Sequence, residues 1–189
     1  VVAIGASTGG TEALARIFER LPADTPATLV VQHMPPGFTA QMAERLNQRS
    51  AMTVREARGG EYLEPGLALI APGGHHMILR RMGSRYKVEL RSGPLVSRHK
   101  PSVDVLFSTV AEAAGDKAIG VILTGMGRDG SAGMKKMHDA GAYNIGQDEE
   151  SCVVYGMPRE AFEIGALDEV SPLNRIPEKI CKALASVKI

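Results

Sequence analysis

The chain has 189 residues, 44% hydrophobic and 23% charged, and its 22 basic against 21 acidic side chains leave a formal charge of +1. This composition fits one domain of ordinary size with a sizeable core, and excludes a fibre or a disordered chain. Balanced charge and only 4% aromatics argue against a nucleic-acid platform. No apolar run approaches the ~18 residues of a membrane span, so direct membrane insertion is not expected either.

Short β-branched runs alternate with helix-length segments, the pattern of βα units on a mostly parallel, doubly wound sheet. The predicted strands are Val1–Ile4, Thr28–Gln32, Leu67–Ala71, Ala118–Thr124 and Tyr143–Gln147. Between them, Thr11–Leu21 and Phe38–Arg49 carry apolar residues at helical spacing. Ser102 is the expected N-cap of a helix over Val103–Ala114 that ends at Gly115. Further helices are predicted over Gly133–Ala140, Pro158–Ile164 and Ile176–Ala185. One stretch breaks the pattern: His76–Arg81 and Arg85–Arg91 alternate around Met82-Gly83-Ser84, which predicts an antiparallel hairpin at one edge of the sheet.

The two cysteines, Cys152 and Cys181, lie far apart in apolar-patterned segments and read as buried free thiols of a reducing compartment. No spacing among the histidines resembles a zinc motif, and no metal or cofactor is expected. The chain starts inside its first strand without a Met and with no signal peptide ahead of it, which reads as one domain of a longer protein.

In open α/β sheets, ligands and reactive groups gather beyond the carboxyl ends of the strands. The first strand delivers Ser7 and Thr8 within Gly5-Ala6-Ser7-Thr8-Gly9-Gly10. The second delivers His33, and the fourth delivers Gly125-Met126-Gly127-Arg128-Asp129-Gly130. A hydroxyl, an imidazole and a carboxylate converge on one edge. A serine needs a base to take its proton as it attacks; imidazole suits that task, and a carboxylate on the other ring nitrogen fixes the tautomer. The backbone N–H groups near Thr8 and Met126 follow glycine turns and are candidates for an oxyanion hole.

Taken singly, each residue has a plainer role: Ser7 as a turn residue, His33 as a satisfied polar side chain, Asp129 as the N-cap of the helix that follows. Asp148, at the end of the fifth strand, competes with Asp129 for the acid role. His75, His76 and His99 are candidates to support the site, and His138 reads as a partly exposed surface residue. The rival reading is a nucleotide-binding Rossmann-like module. It requires G-x-G-x-x-G where the chain has G-x-x-x-G-G, and an acid where the second strand ends in His33. A binding domain of the same fold without activity would leave the full set of three groups unexplained.

These motifs resemble the catalytic domain of the bacterial chemotaxis protein-glutamate methylesterases. The stretches that carry the resemblance are Ile4-Gly5-Ala6-Ser7-Thr8-Gly9-Gly10, Val31-Gln32-His33-Met34-Pro35, Ala71-Pro72-Gly73, Pro101-Ser102-Val103-Asp104-Val105-Leu106-Phe107, Leu123-Thr124-Gly125-Met126-Gly127-Arg128-Asp129-Gly130 and Val153-Val154-Tyr155-Gly156-Met157-Pro158. The resemblance implies Ser7 as nucleophile, His33 as base and Asp129 as orienting acid, with Thr8 and Met126 shaping the site. It also implies a cytoplasmic enzyme that demethylates glutamyl esters on chemoreceptor helices and deamidates receptor glutamines. A regulatory receiver domain, absent from these residues, is its implied partner. A substrate helix dotted with glutamates would favour a basic rim, for which Arg55, Arg58, Arg98, Lys100 and Arg128 are candidates.

Overall fold

The computed structural model describes residues 1–187. In chain order the elements are β1 (Val2–Ala6), α1 (Gly10–Phe18), β2 (Thr28–Gln32), α2 (Phe38–Arg49), β3 (Thr53–Glu56), β4 (Leu67–Ile70), β5 (His76–Met82), β6 (Arg85–Arg91), α3 (Val103–Ala114), β7 (Ile119–Ile122), α4 (Ser131–Asp139), β8 (Tyr143–Gln147), α5 (Met157–Glu163), β9 (Glu169–Ser171) and α6 (Ile176–Ser186).

Seven strands form one parallel sheet in the order β3-β4-β2-β1-β7-β8-β9. Its central strands are buried on both faces, which is why they read as continuous apolar runs. Val2, Ile4 and Ala6 point into one core with α1, α2 and α6, whereas Ala3 points into the other, with α3, α4 and α5. Because β1 lies between β2 and β7, the chain leaves β1 in one direction and returns on its other side. That switch point opens a crevice at the carboxyl end of β1.

The five strands expected from the sequence are present, and two more, β3 and β9, complete the sheet. Both are edge strands, and β3 buries only Val54 fully, so neither carries the apolar run that marks the interior. The hairpin forms as expected, with Met82 opposite Arg85. It is a separate two-stranded sheet packed on α3 rather than a continuation of the main ladder. Its backbone is tied to the segment after β3, where Val88 N–H donates to Glu61 O at 2.8 Å and Leu63 N–H donates to Tyr86 O at 2.9 Å. Helix α1 stops three residues short of Leu21, yet Leu21 stays buried. Both cysteines are free and half-buried. No helix among the described residues is long and apolar enough to cross a membrane.

Candidate active site

Ser7 sits where β1 ends and is held on both sides of its backbone. Its N–H donates to Thr124 O at 3.0 Å, and its carbonyl accepts from Gly10 N at 2.7 Å and from Gln32 Nε2 at 2.8 Å. Two glycines make this close packing possible. A Cβ on Gly125 would lie 2.7 Å from Ser7 Cβ and 2.3 Å from Met157 Sδ, and one on Gly10 would lie 2.1 Å from Gln32 Oε1. The glycines flanking the serine therefore do more than turn the chain: they let neighbouring segments reach it. The hydroxyl faces a groove of about 690 Å³ lined also by Thr8, Arg98, His99, Met126 and Arg128.

His33 follows β2, and its N–H extends the β1 ladder by donating to Ala6 O at 3.2 Å. The ring lies nearly out of solvent, with Nε2 2.6 Å from Asp129 Oδ2. Nδ1 is buried without a hydrogen-bond partner. With Nε2 engaged by the carboxylate, Nδ1 is the nitrogen left to accept a proton. His99 stacks on the same ring, the centroids 3.5 Å apart and the planes within 6°. Burial, then the neighbouring His33, hold His99 below the usual imidazole range, against the opposing pull of Asp129.

Asp129 is buried and receives four hydrogen bonds. Besides His33 it accepts from Ser102 Oγ at 2.7 Å, Val103 N at 2.8 Å and Asp104 N at 3.0 Å. Burial alone would raise this carboxyl; the hydrogen bonds from His33, Asp104, Ser102 and Val103 outweigh it and hold the group below the usual carboxylate range. Ser102 stands at the N-cap of α3 as expected, but its side chain makes no bond to its own helix. Asp129 accepts the first-turn N–H groups of α3 instead, and the N-cap of α4 is Gly130. The first-turn N–H groups of α3, which a helix leaves without internal partners, thus orient the carboxylate toward His33.

The remaining candidates separate cleanly. Asp148 accepts from Ser151 N at 3.0 Å and from Ser151 Oγ, and so braces its own turn. His76 is buried, bonding Pro94 O through Nε2 at 2.9 Å and accepting Ser102 N–H on Nδ1 at 3.2 Å. It therefore holds the segment leading to His99 against the start of α3. His75 is exposed, and His138 lies 3.5 Å from Asp168 on the surface. Thr8 and Met126 line the groove, and their backbone N–H groups bond no acceptor among the described residues. No cluster of three or more His, Cys, Asp or Glu suited to a metal ion occurs among the described residues.

Sequence reasoning missed Asp104 and Gln32. Asp104 accepts Gly133 N–H at 2.8 Å and Ser97 Oγ–H at 3.0 Å, tying α4 to the turn that carries His99. Burial, and the nearby charge of Asp129, raise its carboxyl. Gln32 was legible only as a polar residue ending an otherwise apolar strand, a signal that something at the strand end needs a donor.

Residues 2–180 match the family model described as CheB methylesterase. The chain belongs to the CheB methylesterase family. A relative from Dechloromonas aromatica named protein-glutamate methylesterase/protein-glutamine glutaminase 2 is 59% identical over 180 residues, 95% of this chain and 50% of the relative. A protein of the same name from Chromobacterium violaceum is 57% identical over 182 residues, 96% of this chain and 51% of its own length. The chain thus spans about half the length of the curated relatives it matches. The crystal structure of the Thermotoga maritima CheB methylesterase catalytic domain superposes with a TM-score of 0.93 at 43% identity, covering 96% of each chain. Membership in this family disfavours the nucleotide-binding reading, as does an imidazole paired with a carboxylate where a dinucleotide fold places its ribose-binding acid.

Proposed function

We propose that this chain is a serine carboxylic ester hydrolase, a protein-glutamate methylesterase that also acts as a protein-glutamine glutaminase. Its proposed substrates are glutamyl methyl esters and glutamines on the cytoplasmic helices of methyl-accepting chemoreceptors. The observation that carries the reading is the 2.6 Å contact between His33 Nε2 and a buried, four-fold bonded Asp129, beside a groove into which Ser7 opens.

In this reading Ser7 Oγ attacks the γ-carbonyl carbon of the ester while His33 Nδ1 takes the hydroxyl proton. Asp129 keeps the proton of the other nitrogen in place and stabilises the imidazolium that forms. Negative charge develops on the carbonyl oxygen beside the free N–H groups of Thr8 and Met126 and the N-terminus of α1. Collapse of the tetrahedral adduct breaks the C–O bond to the methoxy group, which leaves as methanol with the proton held by His33. Water then repeats the sequence on the acyl-enzyme and releases a glutamate carboxylate. A glutamine follows the same path with ammonia as the leaving group. Ser7 Oγ makes no hydrogen bond to His33 without substrate among the described contacts, and such bonds commonly form only in the substrate complex.

Residues 1–189 are read as the catalytic domain of a cytoplasmic protein whose receiver domain regulates this groove. The deciding experiment is methanol release from methylated receptor by the purified chain, wild type against His33→Ala. Release that persists in the variant overturns the mechanism.

A further inference from the structure

Most arginines on this surface are already committed. Arg49 pairs with Glu19, Arg55 with Glu61 and Arg159 with Glu163, while the Arg85 guanidinium lies 4.0 Å from the centre of the Tyr62 ring. Arg98 and Arg128 differ. Both are exposed, both line the groove that holds Ser7, and neither side chain meets a carboxylate, a carbonyl or a ring among the described residues. The carboxylates nearest in sequence do not neutralise them. Asp129 is taken by His33 and the start of α3, and Asp104 by Ser97 and Gly133. Of the other basic residues expected at a rim, Lys100 donates to Gly93 O, Arg55 is paired, and Arg58 lines a separate cleft beside α2 and β3 rather than the groove of Ser7.

The backbone under Arg98 is also unusual. Ser97 and Arg98 have φ of 50° and 68°, left-handed values that non-glycine residues rarely adopt and that cost roughly 1 kcal/mol or more each. The turn is closed from both ends, Val96 N to His99 O at 3.0 Å and His99 N to Val96 O at 2.9 Å. Ser97 is anchored to Asp104, and His99 lies flat on His33. A strained turn held this firmly presents Arg98 from a fixed origin beside the nucleophile. Met126, in the same turn as Arg128, is 67% exposed and adds an apolar surface to the lining. The groove therefore offers cationic and apolar groups together, the complement of an amphipathic acidic helix.

Resting on the esterase reading above, we propose that Arg98 and Arg128 bind carboxylates flanking the reacting ester, so that the groove selects esters set in an acidic helical segment. Residues three and four apart share a helix face, so a carboxylate one turn from the ester reaches the rim while the ester reaches Ser7. Guanidinium is the suitable group, because its planar fork matches a carboxylate and stays charged at every working pH.

The test uses two synthetic alanine-based helical peptides, each carrying one glutamyl γ-methyl ester. One has Glu and the other Gln at the positions three and four residues to either side. The expected result is a preference for the Glu peptide of about tenfold in kcat/KM at low salt, the product of two rim pairs worth a few-fold each. That preference shrinks as salt screens it. In the Arg98→Gln/Arg128→Gln double variant the ratio falls to within about twofold of unity, and Arg128→Glu alone lowers it further than Arg128→Gln. A ratio of two substrates on one enzyme sample cancels the active concentration, so a variant that folds poorly still reports. Equal turnover of both peptides by the wild type, or a preference that survives the double variant, overturns the inference alone. No methanol from either peptide overturns the esterase reading and the inference together.

Discussion

At the amino-terminal end of the parallel sheet, a cleft of about 430 Å³ is lined by Tyr143, Glu169, Lys179 and Lys182. Its charges answer one another: Lys179 Nζ lies 2.5 Å from Glu169, which also accepts the Tyr143 hydroxyl at 3.0 Å. At the carboxyl-terminal end, the groove around Ser7 holds two arginines without partners, a buried His33 Nδ1 without one, and two adjacent non-glycine residues in left-handed conformation. Both clefts are concave and polar, so shape does not separate them. What separates them is where the groups facing each cleft are paired. Lys179, Glu169 and Tyr143 answer one another, whereas the arginines and the His33 Nδ1 at the other end answer nothing in the chain among the described residues and sit beside a strained turn.

The widest gap between the two ends lies in activity. Ser7→Ala should lower kcat for ester hydrolysis by on the order of 10⁶-fold, because members of such a constellation act as a unit. Its melting temperature should hardly move, since the hydroxyl bonds nothing in the free protein. Lys179→Ala, at the opposite end, should leave turnover unchanged. Asp129→Asn comes next. It should cost about 10⁴-fold in kcat by favouring the wrong imidazole tautomer. It should also cost about 2 kcal/mol of stability, because an amide replaces a carboxylate that accepts charge-assisted bonds from Ser102, Val103, Asp104 and His33. Thermal denaturation beside steady-state kinetics distinguishes the two variants. Coincident losses of stability would mean that Ser7 is also structural.

How much of this was legible follows from what each residue depends on. Ser7 and His33 stand directly after strands whose apolar runs are unambiguous, and Asp129 ends the glycine-rich turn that follows β7, so topology brings all three to one edge. The inner strands and all six helices announce themselves in the same way, through burial patterns that only a strand or a helix can satisfy. The edge strands β3 and β9 do not, because one side of each pairs with nothing and the apolar pattern fades. The capping of α3 by Asp129 was illegible, since it depends on the start of α3 and the β7–α4 turn meeting on one face of the sheet. The turn at Ser97-Arg98 was hidden for a different reason: its left-handed backbone lacks the glycine or asparagine that normally signals one.

Gly125 tests whether the crowding at the carboxyl-terminal end serves the site. In Gly125→Ala the added methyl would need room already held by Ser7 Cβ and Met157 Sδ. Overpacking of this kind costs about 1–3 kcal/mol. A shift of the serine by about 1 Å costs on the order of 10²-fold in kcat. Full activity in this variant would show that the serine's position tolerates more freedom than the packing around it implies.

The smallest effect is the response of the two ends to acid and salt. Asp129 and Glu169 are both held below the usual carboxylate range, Asp129 against its own burial by four hydrogen bonds, Glu169 chiefly by its bond from Lys179. For each, the folded value lies below the unfolded one, so the stabilisation is complete above about pH 4 and is lost as pH falls through the folded value. One such group lowers stability by at most about 1.4 kcal/mol for each pH unit inside that window. Asp104, raised by burial, acts with the opposite sign: acid favours its folded form and offsets part of the loss. The ends differ in screening. Glu169 and Lys179 keep 24% and 19% of their side chains exposed, so their pair is worth less than about 1 kcal/mol and fades in salt. Asp129, with 1% exposed, is out of reach of added ions. Acid titrations of stability at ~0.05 M and ~0.5 M salt should therefore nearly coincide in the slope that Asp129→Asn removes, and diverge in the smaller part that Lys179→Ala removes. A salt-sensitive Asp129 contribution would mean that water reaches the carboxylate, and that its hold on His33 is weaker than the buried geometry requires.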